Sequence, residues 1–250
     1  MVTGLQSGNT CISCGAPALA EIRPPKAFVG VTSDDKIWPD CRPILVCGNC
    51  AHVQKSTDSD WENDSARVYS DYSLYRLTGG SEHLSFQNTA PKPRSQLLIE
   101  GVAEKIALPP AGRMLDFGCG NGPLLLTFGQ IFPHWSLAGF EPDARYCGEV
   151  MKIPGVERFF SGSPDEIVGK FDLIFLFYVL EHLWEPSRVV EKLRSLLSPG
   201  GAIVIVVPHF IDNPFDLLIV DHCSHFTGAT LAELLCRCKL QPQIVSTSWI

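Results

Sequence analysis

The sequence lacks three features that would assign it to particular classes of protein. Its most apolar stretch, Leu173 to Leu180, is far shorter than the roughly 20 residues that span a bilayer. Its first ten residues, MVTGLQSGNT, have neither the cationic start nor the apolar core of a secretory signal. It has no basic excess, because 20 Lys and Arg face 27 Asp and Glu for a formal net charge of −7. We therefore expect a cytoplasmic protein with no membrane partner, and nucleic acid is disfavoured as a partner.

The composition that remains is that of a folded globular protein. Hydrophobic residues make up 45% of the chain and charged residues 19%, which is far from the low-hydropathy, high-charge signature of disorder. A length of 250 residues allows one large domain, or one medium domain with a small module. Repeat arrays and extended multidomain architectures are excluded at this length.

Ten cysteines stand out in a chain without an export signal, where reduced thiols are favoured over disulfides. Four of them form two CxxC pairs, Cys11-Ile12-Ser13-Cys14 and Cys47-Gly48-Asn49-Cys50, separated by 32 residues. Tetrahedral zinc takes four thiolates, and the two-residue gap lets a tight turn aim both sulfurs at one ion. The pattern predicts a structural zinc site, with Cys41 or His52 able to replace one ligand and a redox-active CxxC as the rival interpretation. The predicted ligands are Cys11, Cys14, Cys47 and Cys50.

Composition along the chain predicts three segments. Residues 1–56 carry the paired cysteines and short β-like runs such as Ile44-Leu45-Val46, and we expect a zinc-ribbon-like module there. Residues 57–110 are helical and aromatic, and we interpret them as a helical linker or lid segment. Pro109 and Pro110 end its last helix, because proline cannot donate the next backbone hydrogen bond. Residues 111–250 form the third segment.

The third segment alternates short apolar runs with helical stretches. This pattern predicts an α/β fold, a Rossmann-like, doubly wound and mostly parallel sheet. A helix over Pro186–Leu197 should close with a stop-and-turn signal at Ser198-Pro199-Gly200-Gly201. The predicted strands are Arg113–Phe117, Leu137–Glu141, Val156–Ser161, Phe171–Tyr178, Ala202–Val207 and Ile244–Trp249. Because Ile250 ends the chain within the sixth, either the fold lacks its last strand, or the chain is shortened, or a partner chain completes the sheet edge and forms an oligomer.

A glycine loop follows the first predicted strand, in Asp116-Phe117-Gly118-Cys119-Gly120-Asn121-Gly122-Pro123. Glycine lets the backbone approach a ligand closely, and open α/β sheets bind cofactors at the carboxyl ends of their strands. About twenty residues further on, Glu141 is well placed to accept hydrogen bonds from ribose hydroxyls. A NAD site would share these features, but the spacing here is GxGxG rather than GxGxxG, and Asp116 precedes the loop. A carboxylate suits the cationic S-adenosylmethionine better than a pyrophosphate.

The segment Met114 to Gly122 resembles motif I of the class I S-adenosylmethionine-dependent methyltransferases. The likeness covers about Arg113 to Ile250 and continues through four further motifs: Glu141, Phe171-Asp172-Leu173-Ile174, Leu180-Glu181-His182-Leu183 and Leu197-Ser198-Pro199-Gly200-Gly201. The resemblance implies that Asp116, Gly118 and Gly120 hold the methionine part of the cofactor, Glu141 the ribose, and Gly162 with Ser163 the adenine edge. Ser163 departs from the family, where an acidic residue often follows strand three. Tyr178 is also expected to contact the cofactor.

The combination of a four-cysteine module with a class I domain resembles sugar methyltransferases of natural-product and surface-polysaccharide pathways, including the nucleotide-sugar C-methyltransferases. The likeness rests on the cysteine pairs, on the run Cys47 to Gln54 and on the aromatic segment Tyr69 to Tyr75, which in such enzymes lies over the cofactor. Those C-methyltransferases are longer and carry a further carboxyl-terminal domain. The resemblance implies a small-molecule acceptor: a sugar, a nucleotide-sugar or another hydroxylated metabolite.

Histidines are the candidate catalytic bases, because an acceptor that must lose a proton near neutral pH calls for such a group. We place His182 and His225 first, ahead of His222 and His209. Each of them could instead be a structural histidine. Thr227 is predicted to cap a helix that begins next to His225. Two other functions stay open at this point: a non-catalytic zinc and Rossmann-like binding module, and an RNA methyltransferase.

Overall fold

The computed structural model describes residues 10–17, 19–25, 27–85 and 90–243, and within them the chain packs as two compact units. The first unit contains the described residues of 10–76, 180–188 and 207–243, and the second contains those of 77–179 and 189–206. The predicted boundaries at residues 56 and 110 stay a prediction. Among the described residues, no helix combines the length and the apolar character needed to cross a bilayer.

Five strands precede the first helix, and strands and helices are interspersed in the rest of the chain. In order, they are β1 (Leu19–Ile22), β2 (Gly30–Val31), β3 (Ile37–Trp38), β4 (Ile44–Cys47), β5 (Val53–Lys55), α1 (Ser59–Ser70), β6 (Leu84–Ser85), β7 (Lys92–Pro93), α2 (Arg94–Lys105), β8 (Arg113–Phe117), α3 (Pro123–Ile131), β9 (Ser136–Phe140), α4 (Cys147–Val150), β10 (Val156–Phe160), β11 (Phe171–Phe177), α5 (Pro186–Ser195), β12 (Leu197–Val206), β13 (Ser224–His225) and α6 (Gly228–Arg237).

The second unit is built on a five-stranded sheet in the order β10-β9-β8-β11-β12, with every pair of neighbours parallel. This arrangement confirms the predicted Rossmann-like α/β fold. The chain starts at β8, adds β9 and β10 on one side, and then adds β11 and β12 on the other. Open sheets bind ligands where the strand order reverses in this way, at the carboxyl ends of the strands. The sheet therefore directs attention to the loops that follow β8 and β9.

The apolar strands of this sheet form the core of the second unit. Strand β11 has the sequence FDLIFLF, and its central side chains are buried, as expected for a parallel strand between two neighbours. Leu98 of α2 and Phe128 of α3 are fully buried in the same cluster as Met114 and Phe175. The helical spacing predicted before Pro109 is therefore that of a helix with one face in the core.

The structure corrects the predicted turn at Ser198-Pro199-Gly200-Gly201. The stop-and-turn signal at Ser198–Gly201 lies inside β12 rather than before it, and α5 ends at Ser195. The reason lies in the strand pairing: Phe171 pairs with Leu197 and Leu173 pairs with Ala202, so the four residues between form a bulge in β12. Gly200, with φ of 80°, supplies the left-handed backbone that this excursion requires.

The first unit contains an antiparallel sheet in the order β1-β4-β5-β13. The β-like run at Ile44 is confirmed as β4. Thr227 caps α6 as predicted, because its Oγ1 accepts a hydrogen bond of 3.2 Å from the backbone N–H of Thr230. The sixth strand predicted at Ile244–Trp249 lies outside the described residues.

Candidate active site

The glycine loop after β8 needs glycine for both its backbone and its packing. Gly118, Gly120 and Gly122 all have positive φ, of 86°, 51° and 88°. A Cβ atom at Gly118 would lie 2.4 Å from Cγ2 of Val179, which is too close for any real side chain. The backbone N–H of Gly118 donates to the carbonyl oxygen of Phe140 at 2.7 Å, and this bond draws the loop against the end of β9. The loop is thus held in one place, and a ligand that binds there would contact its backbone directly.

Glu141 follows β9 and its carboxylate is tied to the same loop. Oε2 accepts a hydrogen bond of 3.1 Å from the backbone N–H of Gly120, and Oε1 accepts one of 3.3 Å from that of Asp143. Burial raises the pKa of Glu141, although both backbone hydrogen bonds act to lower it. Each carboxylate oxygen has a second lone pair, so Glu141 can still accept hydrogen bonds from a diol.

Asp116 lies in the middle of the sheet, paired with Gly139 on one side and Phe175 on the other. It is 2% exposed. Burial, together with the negative charges of Glu141 and Glu82, raises the pKa of Asp116 to about 8. Three carboxylates close together in a poorly solvated place favour a positively charged ligand.

The other predicted cofactor residues already have structural contacts. Gly162 has φ of 83° and comes just after β10, and its N–H donates to the carbonyl oxygen of Pro142 at 3.4 Å. Ser163 caps the short helical turn that follows, since its Oγ accepts from the backbone N–H of Asp165 at 3.2 Å. Tyr178 has a left-handed backbone with φ of 55°, and its ring lies 5.1 Å from the guanidinium carbon of Arg94. Their roles in cofactor binding stay predictions.

Within the first unit, His182 is held by a carboxylate. Its Nδ1 lies 3.3 Å from Oδ2 of Asp221 and 3.0 Å from the hydroxyl of Tyr69. Asp221 is fixed in turn by the backbone N–H and the hydroxyl of Ser33, at 2.9 and 2.5 Å. Burial acts to lower the pKa of His182, but the hydrogen bond and charge of Asp221 outweigh it and raise that pKa.

His222 and His225 share a second carboxylate. Nδ1 of His222 lies 2.7 Å from Oδ1 of Asp216, and Nδ1 of His225 lies 2.5 Å from Oδ2. Burial lowers the pKa of His222 to about 4 and also lowers that of His225. The rings of His182 and His222 are perpendicular, with centroids 4.5 Å apart, so the structure brings these two predicted residues together. His209 instead pairs with Asp212, at 2.7 Å.

A family model described as a methyltransferase domain matches residues 92–240, which include the glycine loop, Glu141 and the candidate histidines. The chain belongs to this methyltransferase family. Its matches include the trans-aconitate 2-methyltransferase of Deinococcus radiodurans, 28% identical over 119 residues, or 47% of this chain and 46% of that protein. They also include the ubiquinone biosynthesis O-methyltransferase of Xanthomonas campestris pv. campestris, 26% identical over 49% of this chain and 53% of that protein. The chain spans about half the length of the curated relatives it matches.

One solved structure supports the fold of the methyltransferase domain. A chain of the complex between the Haloferax volcanii Trm112 methyltransferase activator and a methyltransferase aligns with a TM-score of 0.51. The two chains are 14% identical, and the alignment covers 59% of this chain and 70% of the other. At this identity the likeness concerns the fold alone.

The cysteine cluster precedes the residues matched to the methyltransferase domain. Sγ of Cys11 lies 3.6 Å from that of Cys50, Sγ of Cys14 lies 3.6 Å from that of Cys47, and all four sulfurs are within 4.8 Å of one another. Zinc–sulfur bonds of about 2.3 Å in a tetrahedron would separate the sulfurs by about 3.8 Å, so the donor set fits zinc. Neither proposed substitute, Cys41 nor His52, belongs to this cluster among the described residues.

Sequence reasoning missed several polar residues that surround the histidines of the methyltransferase chain. Asp216 was not singled out, and Lys55 gave no signal because a lysine is usually exposed. Lys55 is 1% exposed, and its Nζ donates to the carbonyl oxygen of Ile219. Burial lowers the pKa of Lys55 to about 8, against the opposing charges of Asp216 and Asp221. The prediction that Tyr72 and Tyr75 lie over the cofactor is not tested by these contacts.

Proposed function

We propose that this chain transfers a methyl group from S-adenosylmethionine to a small hydroxylated acceptor, such as a sugar or a nucleotide-sugar. The observation that carries the proposal is the acidic cradle formed by Asp116 and Glu141 around the glycine loop, at the reversal of strand order. The Asp116 carboxyl beside the loop favours a cationic ligand over a pyrophosphate. The sulfonium and ammonium groups of the methyl donor are instead attracted.

In this proposal each part of the cradle has a defined role. Asp116 balances the positive charge of the methionine part, and the bare backbone at Gly118 and Gly120 lets that part lie against the loop. Glu141 accepts hydrogen bonds from the ribose hydroxyls through its free lone pairs. Gly162 and Ser163 provide the adenine edge, and Tyr178 lies next to the cofactor. These last three assignments derive from family resemblance.

The histidine–carboxylate cluster, formed by His182, His222, His225, Asp216 and Asp221, is proposed to remove the proton from the acceptor. The side chain of His182 is 16% exposed, which makes it the most accessible of the three histidines. The carboxylate of Asp216 contacts both His222 and His225. The buried His225 is proposed to position Asp216. Methyl transfer itself is an in-line displacement that gains most from alignment in a water-poor site.

A hydroxylated small molecule is the acceptor class that the observations favour. One relative described above is named for trans-aconitate, a small carboxylic acid, and the other is named an O-methyltransferase, which supports a small acceptor methylated on oxygen. The net charge of −7 gives no general attraction to the phosphates of RNA. The four cysteines are proposed to hold a structural zinc ion, because a full set of four thiolates leaves no open coordination position.

The test is calorimetric titration of the chain with S-adenosylhomocysteine. We expect one site per chain, and affinity at least ten-fold weaker in Asp116→Ala and Glu141→Ala. Glu157→Ala is the matched control, since Glu157 is an exposed acidic residue on β10 of the same sheet. A folded wild-type chain that gives no heat would reject the proposal and leave the non-catalytic binding module. Saturable binding of NAD at the same residues would reject it as well.

A further inference from the structure

The carboxylate of Glu181 is buried in the first unit. The residue is 1% exposed, and among the described residues neither Oε1 nor Oε2 has a hydrogen-bond partner. An unpaired polar group in such a place costs free energy, and an unpaired charge costs more, unless a ligand or ion compensates it. Native structures rarely leave both oxygens of a buried carboxylate unsatisfied. Both oxygens are therefore available as donors to a ligand or an ion.

Two histidines complete a possible set of ligands around this carboxylate. Glu181, His182 and His222 each offer one donor atom, and these three atoms all lie within 4.8 Å of one another. We propose that the three residues bind a divalent first-row transition-metal ion. Two imidazoles and one carboxylate suit such ions and leave coordination positions open for water or substrate. The partial exposure of the His182 side chain gives the ion a way in.

The Nδ1 atom of each of the two histidines already has an acceptor. Nδ1 of His222 lies 2.7 Å from Oδ1 of Asp216, and Nδ1 of His182 lies 3.2 Å from the carbonyl oxygen and 3.3 Å from Oδ2 of Asp221. An ionised carboxylate can only accept, so Nδ1 carries the hydrogen in each ring and Nε2 keeps its lone pair when the ring is neutral. A metal-bound histidine typically donates its other N–H to a carboxylate in this way, which fixes the ring.

The charges around the cluster also favour a dication. Three carboxylates, Glu181, Asp216 and Asp221, are buried near one another, and Lys55 is the buried ammonium that interacts with two of them. Burial raises the pKa of Glu181 to about 7, and a bound cation favours its ionised form. When all three carboxylates are ionised and the imidazoles are neutral, two negative charges remain beyond the one ammonium, and a divalent ion balances them. Among the described residues, the Glu181 carboxylate has no hydrogen-bond partner, whereas the two neighbouring histidines already have acceptors at Nδ1.

This inference rests on the proposed function for the ion's role, but not for its binding. An acceptor hydroxyl bound to the ion has a lowered pKa, so its proton leaves to solvent. Loss of that proton prepares the acceptor oxygen for the methyl transfer of the proposed function. His182 and His222 then act as ligands, and the ion does the work that a histidine base would otherwise do.

The test uses cobalt(II) alone as the probe, added to a chain whose cysteine site has first been filled with zinc. We expect one cobalt per chain, seen by calorimetry and by weak visible bands without thiolate charge-transfer absorption. Glu181→Gln and His222→Ala should weaken cobalt binding at least ten-fold, and Asp216→Asn about ten- to hundred-fold through loss of ring orientation. His209→Ala is the matched control, because His209 has the same kind of carboxylate partner outside the cluster.

Thermal melting and zinc content establish that each variant is folded. If one of Glu181→Gln, His222→Ala and Asp216→Asn fails either check, the two remaining variants provide the test. Cobalt affinity that is equal in wild type, Glu181→Gln and His222→Ala would overturn the inference, as would no binding to the wild type. Titration of the wild type with S-adenosylhomocysteine separates the two proposals. Cofactor binding without cobalt binding rejects only the metal site, whereas cobalt binding without cofactor binding rejects only the methyltransferase proposal.

Discussion

The backbone N–H of Gly120 donates a hydrogen bond of 3.1 Å to Oε2 of Glu141, a residue 21 positions further along the chain. This bond joins the loop after β8 to the end of β9. Glu141 is thereby oriented before any ligand arrives, and the loop gains an anchor beyond its own turns. A site that is organised in this way loses less entropy on binding.

The first prediction concerns the carboxylate of Glu141. Glu141→Gln keeps one acceptor oxygen, and we expect it to weaken binding of S-adenosylhomocysteine about ten-fold, whereas Glu141→Ala should weaken it about a hundred-fold, because a hydrogen bond to a charged group contributes about 1.5–3 kcal/mol. Calorimetric titration measures both constants, and Glu157→Gln serves as the surface control. Equal affinity of Glu141→Ala and the wild type would contradict the assigned ribose contact.

The second prediction separates backbone strain from steric clash in the glycine loop. Gly118 and Gly200 have similar φ values, of 86° and 80°, but a Cβ at Gly200 meets no atom within 4 Å among the described residues. Gly200→Ala should cost about 1–2 kcal/mol of unfolding free energy from strain alone. Gly118→Ala should cost about 1–3 kcal/mol more, because its Cβ overlaps Val179.

Val179→Ala tests that account of Gly118. The double variant Gly118→Ala/Val179→Ala should recover at least about 1 kcal/mol relative to the sum of the single changes, because the clashing methyl group is gone. Denaturant unfolding of the four proteins gives the coupling free energy. Additive effects would show that Val179 does not explain the requirement for glycine at position 118.

The parallel sheet was predictable because each strand carries its own local signal. Arg113–Phe117 coincides with β8, and the other four described strands of the sheet overlap their predicted ranges. The bulge in β12 was not predictable, because Pro199 and Gly200 give the same turn signal whether the chain leaves the sheet or remains in it. Only the pairing partner, β11, distinguishes the two cases.

The polar cluster around the histidines was predictable only in part. The residue type alone made the histidines candidates: His182, His222 and His225. Lys55 and Asp216 are instead 161 positions apart and come together only through the fold. The pairing of β5 with β13 illustrates the same difficulty, since Val53 pairs with His225. Periodicity reports which side of an element is buried, and it carries no information about partners so distant in sequence.

The third prediction is a proton release that depends on Asp116. Its pKa of about 8 means that the carboxyl is mostly protonated at pH 7 in the free chain. A cationic cofactor favours the ionised form, so binding lowers that pKa and releases close to one proton at pH 7. Affinity should therefore rise as the pH increases from 6 to about 8 and then level off, within the range set by this carboxyl.

Calorimetric titrations with S-adenosylmethionine in buffers of different ionisation enthalpy measure this proton count. Asp116→Asn should release no proton and should flatten the pH dependence over the same range. The same carboxyl makes the stability of the free chain depend on pH. Its pKa is about 3.9 in the unfolded chain and about 8 in the folded chain, so the folded chain binds the proton more tightly. The free energy of unfolding therefore falls as the pH rises from about 3.9 to about 8. Proton release unchanged in Asp116→Asn would assign the titration to another group.

The fourth prediction concerns the four cysteines, which lie at one end of the β1-β4-β5-β13 sheet through Cys47, the last residue of β4. We expect one zinc ion per chain by atomic spectroscopy, and loss of it in Cys47→Ser. Cys41→Ser is the matched control: Cys41 is also partly buried in the first unit, but it is not a member of the cluster.

Hydrogen exchange should then accelerate in β4 and β5 of Cys47→Ser, because a structural zinc contributes folding free energy to the residues around it. Strands β8 to β12 belong to the other unit and should keep their protection, since their core does not depend on the ion. A folded wild type without zinc, with Cys11 linked to Cys14 by a disulfide in mass spectrometry, would favour the redox interpretation of the CxxC pairs instead.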